Sequence, residues 1–156
     1  MEIVKAKTSQ LLEILYITRE CAYQLKDKGV KCWHNTHTDY AQIQEDIEQG
    51  YVFILTIKKG PVGTMTVKPD PDIEQASHLD RLSIFPHFQR RGLGKLMIDF
   101  AEEHARKNGH TLLRGTTPVN DQSLCRLLEG KGFLNKGIAH HVPNELIKIV
   151  FEKNLV

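Results

Sequence analysis

Long apolar runs, paired cysteines and a strong charge of either sign are all missing from this sequence, and each absence removes a class of function. No uninterrupted apolar stretch approaches the ~20 residues that a membrane-spanning helix needs. Met1-Glu2-Ile3-Val4-Lys5 carries no apolar core of the kind a secretory signal requires. A soluble, cytoplasmic protein with no membrane partner is therefore expected. Cys21, Cys32 and Cys125 are odd in number and show no Cys-x-x-Cys spacing, which argues against a disulfide framework and a structural zinc site. The formal net charge is only +2, so no broad nucleic-acid surface is expected and basic residues matter only where they cluster. Repeats, low-complexity tracts and linkers are lacking as well. What is present, 156 residues with 40% hydrophobic content, suits one domain spanning residues 1–156.

Periodicity lays out a mixed α/β chain. A weakly alternating start at Ile3-Val4-Lys5-Ala6 reads as a first strand, and Thr8 or Ser9 offers a cap for a helix with Leu11, Leu15, Ala22 and Leu25 on one face. Lys28-Gly29 ends it. Asp39 and Gln42 form a plausible capping pair for a second, short helix marked by Tyr40, Ile43 and Ile47. Residues 51–57 and 62–67 read as a hairpin across Lys58-Lys59-Gly60-Pro61, and an extended run from Ala76 to Phe85 follows. Leu93, Leu96, Met97, Phe100, Ala101 and Ala105 predict an amphipathic helix, stopped by Asn108-Gly109. Because a helix links them, the strand near 111–116 is expected to lie parallel to the one ending at Phe85. Asn120 or Asp121 then caps a last helix carrying Leu124, Leu127 and Leu128, and a hairpin closes the chain.

One junction carries chemistry. Gln89-Arg90-Arg91-Gly92-Leu93-Gly94 joins a strand to a helix, where unpartnered N–H groups and the helix dipole favour an anion. Gly92 and Gly94 are expected to let a ligand approach the backbone, and Arg90, Arg91 and Lys95 to attract something polyanionic. Nucleotide binding of the Gly-Lys-Ser/Thr kind is not indicated, since that ending is absent.

The junction has the pattern of Gln or Arg, two residues, Gly, one residue, then Gly or Ala, preceded by Leu82-Ser83-Ile84-Phe85-Pro86. A second stretch, Leu128-Glu129-Gly130-Lys131-Gly132-Phe133, ends the last helix. In this order and on these elements, the two make the chain resemble the GNAT superfamily of N-acetyltransferases over nearly its whole length. The resemblance implies an α/β (α+β) acyltransferase fold with a mixed, mostly antiparallel central sheet and about four helices. It also implies acetyl-CoA as acetyl donor, with the coenzyme A pyrophosphate on Gln89, Arg90, Arg91, Gly92, Leu93, Gly94 and Lys95. The pantetheine arm would lie along Leu82, Ser83 and Ile84. Asn120 matches the family's cofactor-facing Asn, and it is equally suited to capping a helix.

Acetyl transfer to an amine needs a base for the nucleophile, a polarised carbonyl and a proton for the departing thiolate. A primary amine with a pKa of about 10.4 is mostly protonated at neutral pH, so an acceptor for its proton is required. Asp80, on the strand before the turn and near where many relatives carry a carboxylate, is the candidate base; its alternative is a structural pair with a neighbour such as Arg81. Backbone N–H groups near the distortion expected in that strand would polarise the thioester oxygen. The resemblance departs at Leu128, where relatives often have a thiolate-protonating Tyr. Cys125 could serve a two-step route, but the resemblance implies direct attack. The acceptor cleft is assigned to Trp33, His34 and Tyr40 with His141, where Trp33 has packing as its alternative role. His34, His37, His140 and His141 lack metal-site spacing, and no metal is expected. The expected activity is acetylation of a primary amine of a small molecule or peptide. A silent acyl-CoA-binding module is the alternative, kept by the missing Tyr. The chain is expected to be a monomer or homodimer.

Overall fold

The structure, a computed structural model, describes residues 1–29, 40–139 and 147–156. Among the described residues seven strands, β1 (Glu2–Lys5), β2 (Val52–Ile57), β3 (Gly60–Pro69), β4 (Ala76–Ile84), β5 (Leu112–Pro118), β6 (Leu134–Ile138) and β7 (Lys148–Asn154), form one sheet in the order β1-β2-β3-β4-β5-β7-β6. Every neighbouring pair is antiparallel except β4 and β5. That parallel pair is joined through α3 (Leu93–Lys107), as the helical crossover predicts. The remaining helices are α1 (Leu11–Asp27), α2 (Tyr40–Glu48) and α4 (Gln122–Gly130). No helix among the described residues is long and apolar enough to cross a membrane.

The continuous apolar run of β2 follows from burial on both faces. Val52 and Ile54 join Ile14, Leu15, Ile43 and Ile47 of α1 and α2 in one core. Phe53 and Leu55 point the other way, into a larger core with Met97, Ile98 and Ala101 of α3, Leu128 of α4 and Phe151 of β7. A strand with two buried faces needs no polar alternation. The stripe on α3 is rotated from the one periodicity predicts: Leu96 is exposed, and Ile98 and Glu102 are buried in its place. Glu102 tolerates this because Lys153 Nζ lies 2.7 Å from its Oε1. On α1 the buried face is Leu11, Ile14, Leu15, Ile17, Thr18 and Cys21, leaving Leu25 partly exposed beside the cleft described below.

A row of polar and charged side chains crosses the sheet in register, from Lys68 to His78, Arg114 and Glu152. Arg114 donates to Glu152 at 2.8 Å and to Asp70 at 3.0 Å. Burial pushes the Asp70 carboxyl up, but hydrogen bonds from the Asp72 N–H, Arg114 and the Ile73 N–H outweigh it and hold the group below its ordinary range. A depressed carboxylate contributes stability that is present above its unfolded pKa and lost as pH falls through the folded one. Asp70→Asn is therefore expected to cost about 1–3 kcal/mol at neutral pH. Thermal melts should show that deficit shrinking as pH drops below about 4.

Candidate active site

β4 and β5 stay paired from Ala76↔Leu112 to Leu79↔Gly115 and then part, although β4 runs on to Ile84 and β5 to Pro118. Gly115 allows a close approach at the last paired position, where a Cβ would sit 3.3 Å from the Leu79 carbonyl oxygen. At the same level the β3–β4 register slips, because Thr66 faces Asp80 while Thr64 faces Ser83. The extra β4 residue is a β-bulge. Arg81 inside it has φ +53°, a left-handed conformation that only glycine adopts without cost.

Beyond the bulge, β4 leads through a 3-10 turn at Pro86–Phe88 into the glycine-containing junction. Gly92 is the N-cap of α3 at φ +79°, and Arg90 just before it is also left-handed at φ +63°. A Cβ on Gly92 would meet nothing within 4 Å, so its glycine serves the backbone conformation and the open space over the helix start. Gly94 has a further use besides facing the cavity described below: a Cβ there would come 2.9 Å from Leu127 Cδ2, so the missing side chain also gives Leu127 of α4 room against α3.

A cavity of about 670 Å³ connects these pieces. It is lined by Leu82, Ser83 and Ile84 from the parted end of β4, and by Gln89, Arg90, Gly92, Leu93, Gly94 and Lys95 from the junction. Asn120 lines it too, exposed beside the start of α4. The structure thus brings together every expected cofactor residue except Arg91. That guanidinium lies 5.2 Å over the Phe88 ring and donates to the His87 carbonyl at 3.4 Å.

Several lining residues gave no signal in the sequence. The α1 wall contributes Cys21, Gln24, Leu25 and Lys28, and the last of these adds positive charge to that of Arg90 and Lys95. Gln24 and Gln89 exchange side-chain amide hydrogen bonds of 3.0 and 2.9 Å, while Gln89 also donates to the Ile84 carbonyl at 2.8 Å. The Cys21 thiol donates to the same carbonyl at 3.0 Å. These contacts moor α1 to the end of β4 and to the junction. Asp121 takes the α4 N-cap by accepting from the Leu124 N–H at 3.2 Å, which leaves Asn120 without that duty. Burial pushes the Asp121 carboxyl up, against the Leu124 hydrogen bond and the charge of Lys28.

Asp80 stands where the strands part. Leu79 belongs to the α3/α4 core, so strand alternation places Asp80 on the α1/α2 face. Its Oδ1 accepts from the Arg81 backbone N–H at 2.9 Å, and the Arg81 guanidinium turns instead to Asp46 of α2, at 2.7 Å. A small cavity of about 40 Å³ between the parting strands is lined by Asp80, Thr116, Leu128 and Lys148. Leu82 and Leu124 line both cavities.

Leu128 is buried in the α3/α4 core and offers no proton. Burial, with the negative charges of Asp121 and Glu129, pushes the Cys125 thiol up, which disfavours a thiolate nucleophile there. Tyr40 opens α2 and is exposed. Trp33, His34, His37, Asp39, His140 and His141 lie outside the described residues. Gln42, expected to pair with Asp39, directs its amide to Asp46 at 3.2 Å.

Solved structures share this architecture along nearly the full chain. The ribosomal-protein-alanine N-acetyltransferase of Brucella melitensis matches with a TM-score of 0.75 at 16% identity, covering 99% of both chains. The PaiA N-acetyltransferase of Thermoplasma acidophilum, in complex with coenzyme A, gives 0.79 at 16% identity with 98% of each covered. The ribosomal-protein-S18-alanine N-acetyltransferase of Escherichia coli gives 0.74 at 16%, covering 99% of this chain and 93% of that one. No curated protein matches by sequence. At such identities the structural likeness shows the fold alone. The sequence itself goes further, because residues 12–133 match the model of the acetyltransferase (GNAT) family and take in the β4 bulge, the glycine junction, α4 and all but the first residue of α1. The chain belongs to the acetyltransferase (GNAT) family.

Proposed function

We propose that the protein transfers the acetyl group of acetyl-CoA to a primary amine by direct attack. The observation that carries this reading is the single cavity running from the parted end of β4 to the N-terminus of α3. Its size suits a ligand with an extended arm and an anionic end. The Gly92 backbone, the α3 dipole and Lys28, Arg90 and Lys95 would hold the pyrophosphate. Residues 82–84 would face the pantetheine arm, with their outer edge no longer paired to β5.

Asp80 would accept the amine proton, directly or through water, as nitrogen attacks the thioester carbon. The C–N bond forms, the C–S bond breaks, and the thiolate leaves. The Arg81 N–H is already engaged by Asp80, which leaves the strand beyond it as the source of a donor to the thioester oxygen. A thiol with a pKa of about 8.5 departs without a dedicated acid, and water can reprotonate it. Leu128 therefore does not stop the reaction.

The buried Leu128 also favours a second reading, a module that binds acyl-CoA without turnover. Both are tested by following thiol release from acetyl-CoA across small amines and N-terminal peptides. The peptides are included because two of the structural relatives are named for acetylation of a ribosomal-protein alanine. Release matched by acetylated product supports the enzyme, whereas tight coenzyme A binding without product on any amine supports the module.

A further inference from the structure

The Arg81 backbone is strained and buried, with its N–H and its carbonyl both engaged by β4 side chains, while its side-chain Nε has no hydrogen-bond partner among the described residues. Its N–H goes to Asp80 at 2.9 Å, its carbonyl accepts from the Ser83 hydroxyl at 3.1 Å, and its guanidinium reaches Asp46 at 2.7 Å and Thr66 Oγ1 at 3.3 Å. Asp46 is 3% exposed, and its other oxygen accepts from Gln42 and lies 3.6 Å from Lys68 Nζ. A left-handed arginine persists only where its surroundings over-determine it. Here the buried ion pair with α2 supplies that constraint.

The bulge also has a consequence for the faces of β4. In a regular strand, residues 80 and 82 share a face. With Arg81 inserted, Leu82 and Ile84 pack on the same α3/α4 core as Leu79, while Asp80 stays on the α1/α2 side. The bulge therefore turns Leu82 onto the core face away from Asp80, while both still line the small cavity at the point where β4 leaves β5.

We propose that Asp46 is a positioning residue: by clamping Arg81 in its left-handed conformation, it fixes the bulge that holds Asp80 and residues 82–84 in the relative placement acetyl transfer needs. The catalytic part of this inference rests on the proposed function. The clamp is a property of this chain's own side chains, since it joins α2 to β4 across 35 sequence positions.

The test compares the parent with Asp46→Asn and with Asp46→Asn/Arg81→Gly, since glycine takes the left-handed conformation without a clamp. Three readouts are needed: turnover with the best amine, coenzyme A affinity by calorimetry, and amide exchange in residues 80–84. Asp46→Asn is expected to lower kcat roughly 10- to 100-fold through misplacement, with coenzyme A affinity changed less than about threefold. Exchange in residues 80–84 should speed up about tenfold as the bulge loosens. The double variant should regain most of the lost kcat and the slow exchange. A merely structural Asp46 would lower thermal stability without that split and without rescue by glycine, and this result overturns the proposal. Unchanged exchange in Asp46→Asn overturns it too. Should the parent itself show no turnover on any amine, acetyl transfer fails and the positioning role fails with it, while the exchange data still decide whether the clamp sets the bulge.

Discussion

Gly92→Asp should weaken coenzyme A binding by roughly 30- to 150-fold, equivalent to about 2–3 kcal/mol. Two effects contribute. The substitution forces a non-glycine residue into the φ +79° conformation at the α3 N-cap, a strain of about 1 kcal/mol that weakens binding as far as the free turn relaxes out of this conformation and the ligand must restore it. It also sets a carboxylate in the open space above the first N–H groups of the helix, where a phosphate would otherwise sit. Gly92→Ala carries the first effect without the second, so the gap between the two variants isolates the charge. Calorimetric titration of coenzyme A into each protein reads the difference. Equal affinities for Gly92→Asp and the parent would remove the pyrophosphate from this turn.

Asp80→Asn should cut kcat/KM for the amine by about 10²- to 10⁴-fold, the range expected when a general base is lost. Coenzyme A affinity should barely change, because Asp80 lies on the α1/α2 face and lines the small cavity at the parting of β4 and β5 rather than the large one. The pH profile discriminates more sharply than the rate. Loss of a base removes the acidic limb of kcat/KM against pH, whereas damage to the bulge lowers the rate at every pH. Asparagine can still accept the Arg81 N–H through its amide oxygen, so the bulge itself should survive. A parent-like rate and profile in Asp80→Asn would assign the proton to another group.

The junction was legible because its chemistry is local. Gly92, Arg90 and Lys95 lie within six consecutive residues, and a strand followed by a helix places them at one helix N-terminus whatever the rest of the chain does. The order of the elements and the parallel β4–β5 pair were readable for a similar reason, since a helical crossover leaves little choice of strand direction. Long-range contacts left no such trace. The Gln24–Gln89 amide pair spans 65 positions, and neither residue type announces a partner. Arg81 at positive φ contradicts local preference outright, and its contacts with Asp46 and Thr66 lie 35 and 15 positions away in the chain. Periodicity located a buried stripe on α3 without fixing its centre, hence the exchange of Leu96 for Ile98. Gly94 reads in sequence as room for a ligand and does line the cavity, but it also makes room for Leu127 of α4, which nothing local announces. A missing side chain shows that something approaches closely and says nothing of what.

Leu128 illustrates the limit of motif reading in the opposite direction. Its departure from the family pattern is visible in sequence, but its meaning depends on its being buried in the α3/α4 core beside the small cavity that also holds Asp80. No proton can come from that position. Either the thiolate leaves without help from residue 128 or the reaction does not run, and the two alternatives differ in a single observable. Purified protein incubated with acetyl-CoA and the amine and peptide panel, with free thiol and acetylated product quantified together, should yield the two in equal amounts for at least one acceptor. Tight coenzyme A binding with no acetylated product from any acceptor would contradict it.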